Sequence, residues 1–340
     1  MTYEKTTSLI LILILLLPSK AVFAWSEGGH HIISLIAFDL LSKEEQGKFL
    51  EILSKHPRYN DDFIPPRGLP NEQEEQRWKV GRVGYWPDIA RSQPKYNRPT
   101  WHYELGASLI VGDKLNLNVP NAPGLLPVVA NLETQDLYAS QAVTLCSNAL
   151  GDSSTSPTDR AIALCWIGHL VADIHQPCHA GSLYMENVFS EADGDRGANG
   201  IITKQNRNMH ALWDGLLGRD FDLADTRRRI FEITGDQDLA RTVKPDGDWM
   251  NPQTWLSESR VAATSYVYTP EVLDNLKASI GTQKGDPIVL DEAYLKMAGR
   301  IAQQRAIQAA HRLSEKNGTA DCRSGIDRFR VQDLTKVKIE

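Results

Sequence analysis

Two His-x3-Asp steps stand out in the chain, His169/Asp173 and His210/Asp214, with a further histidine, His179, two residues past Pro177. Four residues make about one helical turn, so each step projects an imidazole and a carboxylate from one helix face, which is a zinc-binding arrangement. Burying such a pair among apolar neighbours, as in the segment 162–171, costs several kcal/mol without compensation, and metal ligation offsets that cost. A lone His-x3-Asp also fits a buried hydrogen bond. Two of them plus the Gln176-Pro177-x-His179 turn point to a multinuclear metal site.

The elements that position these residues read as helices. Apolar spacing gives one long helix over 27–56 ending before Pro57, then helices over 134–150, 159–175, 206–217, 255–268 and 289–314. Ser156-Pro157-Thr158-Asp159 is a helix start, and Pro177 is expected to stop that helix. Residues 65–70 read as loop, and 181–200, rich in Gly, Asp and Asn, as a long site-lining loop without periodicity. With a small hairpin around 108–119, the fold class is all-α.

Of 340 residues, the first 24 read as a removable leader: Lys5, an apolar run over 9–17, then Val22-Phe23-Ala24 at a cleavage site. Cleavage would make Trp25 the N-terminus, whose α-amine and carbonyl form a chelating pair. The apolar run is too short to span a bilayer, so export is expected. No linker or repeat divides the remainder, so residues 25–315 read as one domain and 316–340 as a polar tail. The net charge of −6 becomes about −7 once Glu4, Lys5 and Lys20 leave. A binder of polyanions through broad basic patches is excluded, and any nucleic-acid contact needs local positive charge, which bound metal supplies. Cys146, Cys165, Cys178 and Cys322 would permit two disulfides; none has the spacing of a zinc finger. His31, His56, His175 and His311 lack a partner at ligand spacing and read as ordinary core or surface histidines.

Trp25 with His30, Trp86-Pro-Asp88 with Arg91, Trp101-His102-Tyr103, His169-x3-Asp173-x2-Gln176-Pro177-x-His179, Asp195-Arg-Gly-Ala-Asn199 and Asn208-Met-His210-x2-Trp213-Asp214 together resemble the zinc-dependent single-strand nucleases of fungi, plants and bacteria, such as mung bean nuclease. The motifs keep that family's order across nearly all of 25–315. The resemblance implies a helical fold shared with zinc-dependent phospholipase C and three zinc ions. One would be held by Asp88, His102, His169 and Asp173, one by His179, His210 and Asp214, and one by the Trp25 amine and carbonyl, His30 and Asp173. It also implies Arg91 on the transition-state charge, Tyr103 stacking on a base and Asn199 near the base pocket. The implied activity is secreted hydrolysis of single-stranded DNA and RNA to 5′-phosphorylated products, with 3′-nucleotidase action on mononucleotides, by a monomer with no membrane or stable protein partner. One departure is Leu105, where fungal members carry an acid that hydrogen-bonds a base; Glu104 stands one place earlier. The alternatives are a zinc-dependent phospholipase C, set back by Asp214 where that enzyme has glutamate, and a non-catalytic secreted zinc-binding protein.

Overall fold

The computed structural model describes residues 25–112, 123–278, 280 and 287–318. Residues 1–24, read above as a leader, and residues 319–340, with Cys322, lie outside them. The chain is mainly helical: α1 Glu27–Asp39, α2 Lys43–Ser54, α3 Tyr59–Asp62, α4 Glu72–Ile89, α5 Ala139–Gly151, α6 Pro157–Ile174, α7 Pro177–Ala180, α8 Met209–Asp214, α9 Leu223–Gly235, α10 Gln237–Ala240, α11 Pro252–Ala262, α12 Pro270–Ala278 and α13 Glu292–Gly318. The all-α class therefore holds. Among the described residues, no helix is long and apolar enough to cross a membrane.

Helix α6 is the axis. Ser156 caps it through the Asp159 N–H at 3.1 Å, Pro157 opens its first turn, and every residue from Ala161 to Ile174 is buried. Helices α1, α4, α5 and α13 pack around it. Glycines set the closest approach: a Cβ on Gly84 of α4 would lie 2.3 Å from the Ser34 hydroxyl, and Gly168 of α6 meets Gly84 backbone. That spacing lets the Gly84 carbonyl reach the His169 ring, 2.7 Å away.

Several sequence expectations need correction. The helix over 27–56 is two helices, because the Ser42 capping box, with Glu45 bonding back to the Ser42 N–H at 2.8 Å, starts α2 afresh. Helix α4 was not anticipated; it is buried on several sides, carries two glycines and Pro87, and so shows no amphipathic stripe. Helices α9 and α12 were not anticipated either, although both are amphipathic, burying Thr226 and Ile233 in α9 and Val272 and Leu276 in α12. Pro177 does not end α6 but begins α7, after α6 has stopped at Ile174.

The expected hairpin is instead a parallel pair. Strand β1, Gly106–Val111, runs beside β2, Gly181–Met185, with Gly106 opposite Gly181 and Val111 opposite Met185. Part of the expected return strand falls outside the described residues. Strand β2 is wholly buried, so the segment 181–200 is loop only after its first turn of chain. Cys146, Cys165 and Cys178 are buried and free, so no two of them form a disulfide.

Candidate metal centre

Four elements converge on the buried end of α6. His169 and Asp173 face one side of it, with His169 Nε2 3.0 Å from Asp173 Oδ2. Helix α4 brings Asp88 in its last turn, and the 3₁₀ turn Pro99–His102 brings His102. His102 Nδ1 lies 2.7 Å from His169 Nε2 and 3.2 Å from Asp173 Oδ2, and Asp88 Oδ1 lies 3.8 Å from His169 Nε2. His30 of α1 stacks on His169 at 4.3 Å and points Nε2 at Asp173 Oδ1, 3.4 Å away.

A second cluster joins His179 of α7 to His210 and Asp214 of α8. The two Nε2 atoms are 3.1 Å apart, and Asp214 Oδ2 is 3.6 Å from His210 Nε2. Gln176, the α7 cap, donates to Asp214 Oδ1 at 2.7 Å and fixes that carboxylate. Both clusters are groupings able to hold a metal ion. His102 links them, since its ring faces the first cluster while its carbonyl accepts from His179 Nδ1 at 2.6 Å.

The ring tautomers follow from the carbonyls behind them. His169 Nδ1 donates to Gly84 O, His179 Nδ1 to His102 O, and His210 Nδ1 to Gly197 O, at 2.6–2.7 Å. Although burial opposes its charge, His169 is raised above the usual imidazole range by the carboxylates of Asp173 and Asp88, whereas on His179 and His210 each Nε2 carries a lone pair directed into the site. Two such lone pairs 3.1 Å apart repel unless a cation lies between them. Burial opposes a proton in that role, because it holds His179 and His102 well below the usual imidazole range. Burial also drives Asp173 up to about 6 and pushes Asp214 well above the usual carboxylate range. Buried Asp88 Oδ2, Asp173 Oδ1, His102 Nε2 and both His30 ring nitrogens have no hydrogen-bond partner. Cations reverse each of these penalties by taking imidazole lone pairs and neutralising carboxylates. The donor set of histidine and aspartate suits zinc.

The remaining site residues divide. Trp25 is fully buried, its indole donating to the Ala172 carbonyl at 3.0 Å, and the next N–H, of Ser26, donates to Asp214 O at 2.9 Å. The backbone after Trp25 is thereby held beside Asp214. Arg91 donates to Asp88 Oδ1 at 2.9 Å and lines a cleft of about 570 Å³ over the clusters. Tyr103, 39% exposed, and Asn199 line the same cleft. Asn199 spends its amide locally, donating to Arg196 O and accepting from Asn208. Glu104 is turned into the core, accepting from the Ser140 hydroxyl at 2.6 Å, and Leu105 walls the cleft instead. The orienting carbonyls of Gly84, His102 and Gly197 were invisible to sequence reasoning, and Gln176 was visible only as part of a motif.

A buried constellation of imidazoles and carboxylates under one cleft defines a metal-dependent hydrolase. The profile of the S1/P1 nucleases matches residues 25–317, and the chain belongs to this family of metal-dependent nucleases that cleave phosphodiester bonds. Endonuclease 1 of Arabidopsis thaliana is 23% identical over 330 residues, covering 92% of this chain and 92% of that protein. The phospholipase C and non-catalytic alternatives give way to a nuclease whose substrates are nucleic acids.

Proposed function

We propose that the protein is a secreted, zinc-dependent endonuclease that prefers single-stranded DNA and RNA, leaves 5′-phosphates and also removes 3′-phosphates from mononucleotides. Residues 25–315 are the catalytic domain, released as a monomer by cleavage after Ala24, with 316–340 a tail. Three zinc ions fit the donors: one on Asp88, His102, His169 and Asp173; one on His179, His210 and Asp214; one on the Trp25 amine and carbonyl, His30 and Asp173. The third set needs a free terminus at residue 25. The observation that carries the reading is the His179/His210 pair, whose lone pairs meet at 3.1 Å with both opposite nitrogens already committed to carbonyls.

Bound zinc supplies Lewis acidity and a water of lowered pKa, and it neutralises phosphate charge. Hydrolysis joins the water oxygen to phosphorus and breaks the bond to the 3′-oxygen, which takes up a proton. Asp173 holds its place through His169 and His102, Arg91 holds Asp88, and Gln176 holds Asp214. Arg91, tethered to Asp88, presents its guanidinium to the charge that grows on the phosphate oxygens. Tyr103 offers a ring for stacking, which favours an unpaired base with little sequence preference. Leu105 gives the base wall an apolar surface where fungal members have an acid.

The test is metal analysis of the processed protein alongside digestion of single- and double-stranded substrates. Three zinc ions per chain and faster cleavage of single strands are expected. Fewer than two ions, or equal rates on both forms, would overturn the reading.

A further inference from the structure

The cleft continues past Asp214. Asp214 borders another depression, of about 320 Å³, whose walls also include Ser26, Tyr85, Asn206, Arg207, Arg219 and Asp220. Arg207 borders both this depression and the main cleft. His179 and His210 thus line one hollow and Asp214 the other, with Arg207 common to both.

Charge marks the same line. Arg196 and Arg207 on the main cleft and Arg219 on the second hollow are exposed and make no ion pair among the described residues. Elsewhere guanidinium groups are largely committed, as in Arg77 to Asp39, Arg82 to Glu27, Arg228 to Asp225 and Glu232, and Arg300 to Asp236. In a chain of net charge −6, uncommitted arginines along one path form a local track for phosphates. Besides Asp214 of the second cluster, two more acids edge this hollow. Glu27 is held by Arg82 at 3.0 Å, and Asp220 offers an acceptor suited to a base amino group. Tyr85, half-buried beside His30, supplies an aromatic surface.

We propose that this hollow is a second nucleotide subsite. It takes the nucleotide across the scissile phosphate from the Tyr103 pocket, with Arg207 and Arg219 on its phosphates and Tyr85 against its base. The proposal rests on the reading that a nucleic-acid strand crosses the metal residues, and it makes cleavage within a strand more efficient than cleavage of a minimal ester. Arg219 and Tyr85 are outside every ligand set, so they serve as probes.

Zinc-loaded wild type, Arg219→Ala, Tyr85→Ala and Tyr85→Phe are compared on a long oligothymidylate and on bis(p-nitrophenyl) phosphate. Each alanine variant is expected to lose about tenfold in kcat/KM on the strand, a typical loss for one stacking or phosphate contact. Arg219→Ala should also lower the slope of log KM against log salt by about 0.7. Tyr85→Phe should retain strand cleavage, and the small ester, which does not reach the hollow, should change less than about twofold at unchanged zinc content. Equal losses on both substrates, or undiminished strand cleavage, would overturn the subsite alone. A wild type active on neither substrate would remove the nuclease reading and the subsite with it.

Discussion

Helix α6 carries two buried polar clusters that face opposite ways and differ in completeness. On one side His169 and Asp173 meet His30, Asp88 and His102 with lone pairs confronting one another and several atoms unpartnered. On the other, His175 donates to Val171 O and accepts from Arg312, which with Arg305 grips Glu258 at 2.7–2.8 Å. Arg305 also donates to His175 O, and the Ser259 hydroxyl to Ile174 O, so the last carbonyls of α6 are capped. Two guanidinium groups against one carboxylate leave an extra positive charge at a helix C-terminus, where the dipole favours it. A closed set of donors and acceptors needs nothing further, whereas a set of acceptors facing one another requires a cation. His175, Arg305 and Arg312 are as buried as His169 and Asp173, though Glu258 is partly exposed, so completeness of hydrogen bonding separates the two clusters more than the burial of their cationic and imidazole groups.

The sharpest way to break this contrast is Asp173→Asn, which is expected to lower turnover at least about a thousandfold, since Asp173 faces both His30 and the His102/His169 pair. Zinc stoichiometry should fall in the same sample; a variant with full zinc content and normal turnover would refute the assignment. Next in size, Arg312→Ala leaves Glu258 to Arg305 and removes the donor to buried His175 Nε2, and is expected to cost about 3 kcal/mol in urea denaturation. Zinc per folded molecule should stay unchanged, and its loss would show that the two sides are coupled through the turn at 174–176.

Acid supplies a third probe, through two histidines that belong to neither cluster. Burial holds His56 and His311 neutral, each with its pKa lowered to about 4 from 6.5. The unfolded chain takes up protons first, so stability is full above pH 6.5 and declines as pH falls toward 4. Denaturation of chelated protein across that window, compared with His56→Gln and His311→Gln, should show a shallower decline in each variant. Smallest of all, Gln176→Ala frees the Asp214 carboxylate and is expected to cost about 1–3 kcal/mol of stability in a melt with chelator present.

The part of this contrast that sequence made legible was the side that does chemistry. His169, Asp173, His179, His210 and Asp214 announce themselves because a helical turn forces their spacing, and α6 and α13 announce themselves through caps and apolar runs. Helix α4 stayed hidden although it carries Asp88, because glycines at a helix crossing and burial on several sides erase the amphipathic signal. The parallel pairing of β1 with β2 joins segments about seventy residues apart, a distance no local pattern encodes. His175 looked unremarkable because its partners, Arg312 and the Val171 carbonyl, come from the far end of the chain and from backbone. Leu105 registered as a departure from the family, and only the fold explains it: Glu104 is occupied by Ser140 and cannot substitute.

The contact between Gly84 and Gly168 makes the crossing of α4 and α6 a gauge for the cations. A methyl group at position 84 would press on Ser34 and draw the carbonyl back from the imidazole it steers. Ion affinity could thus drift in evolution through a residue that never touches an ion, leaving every coordinating side chain intact.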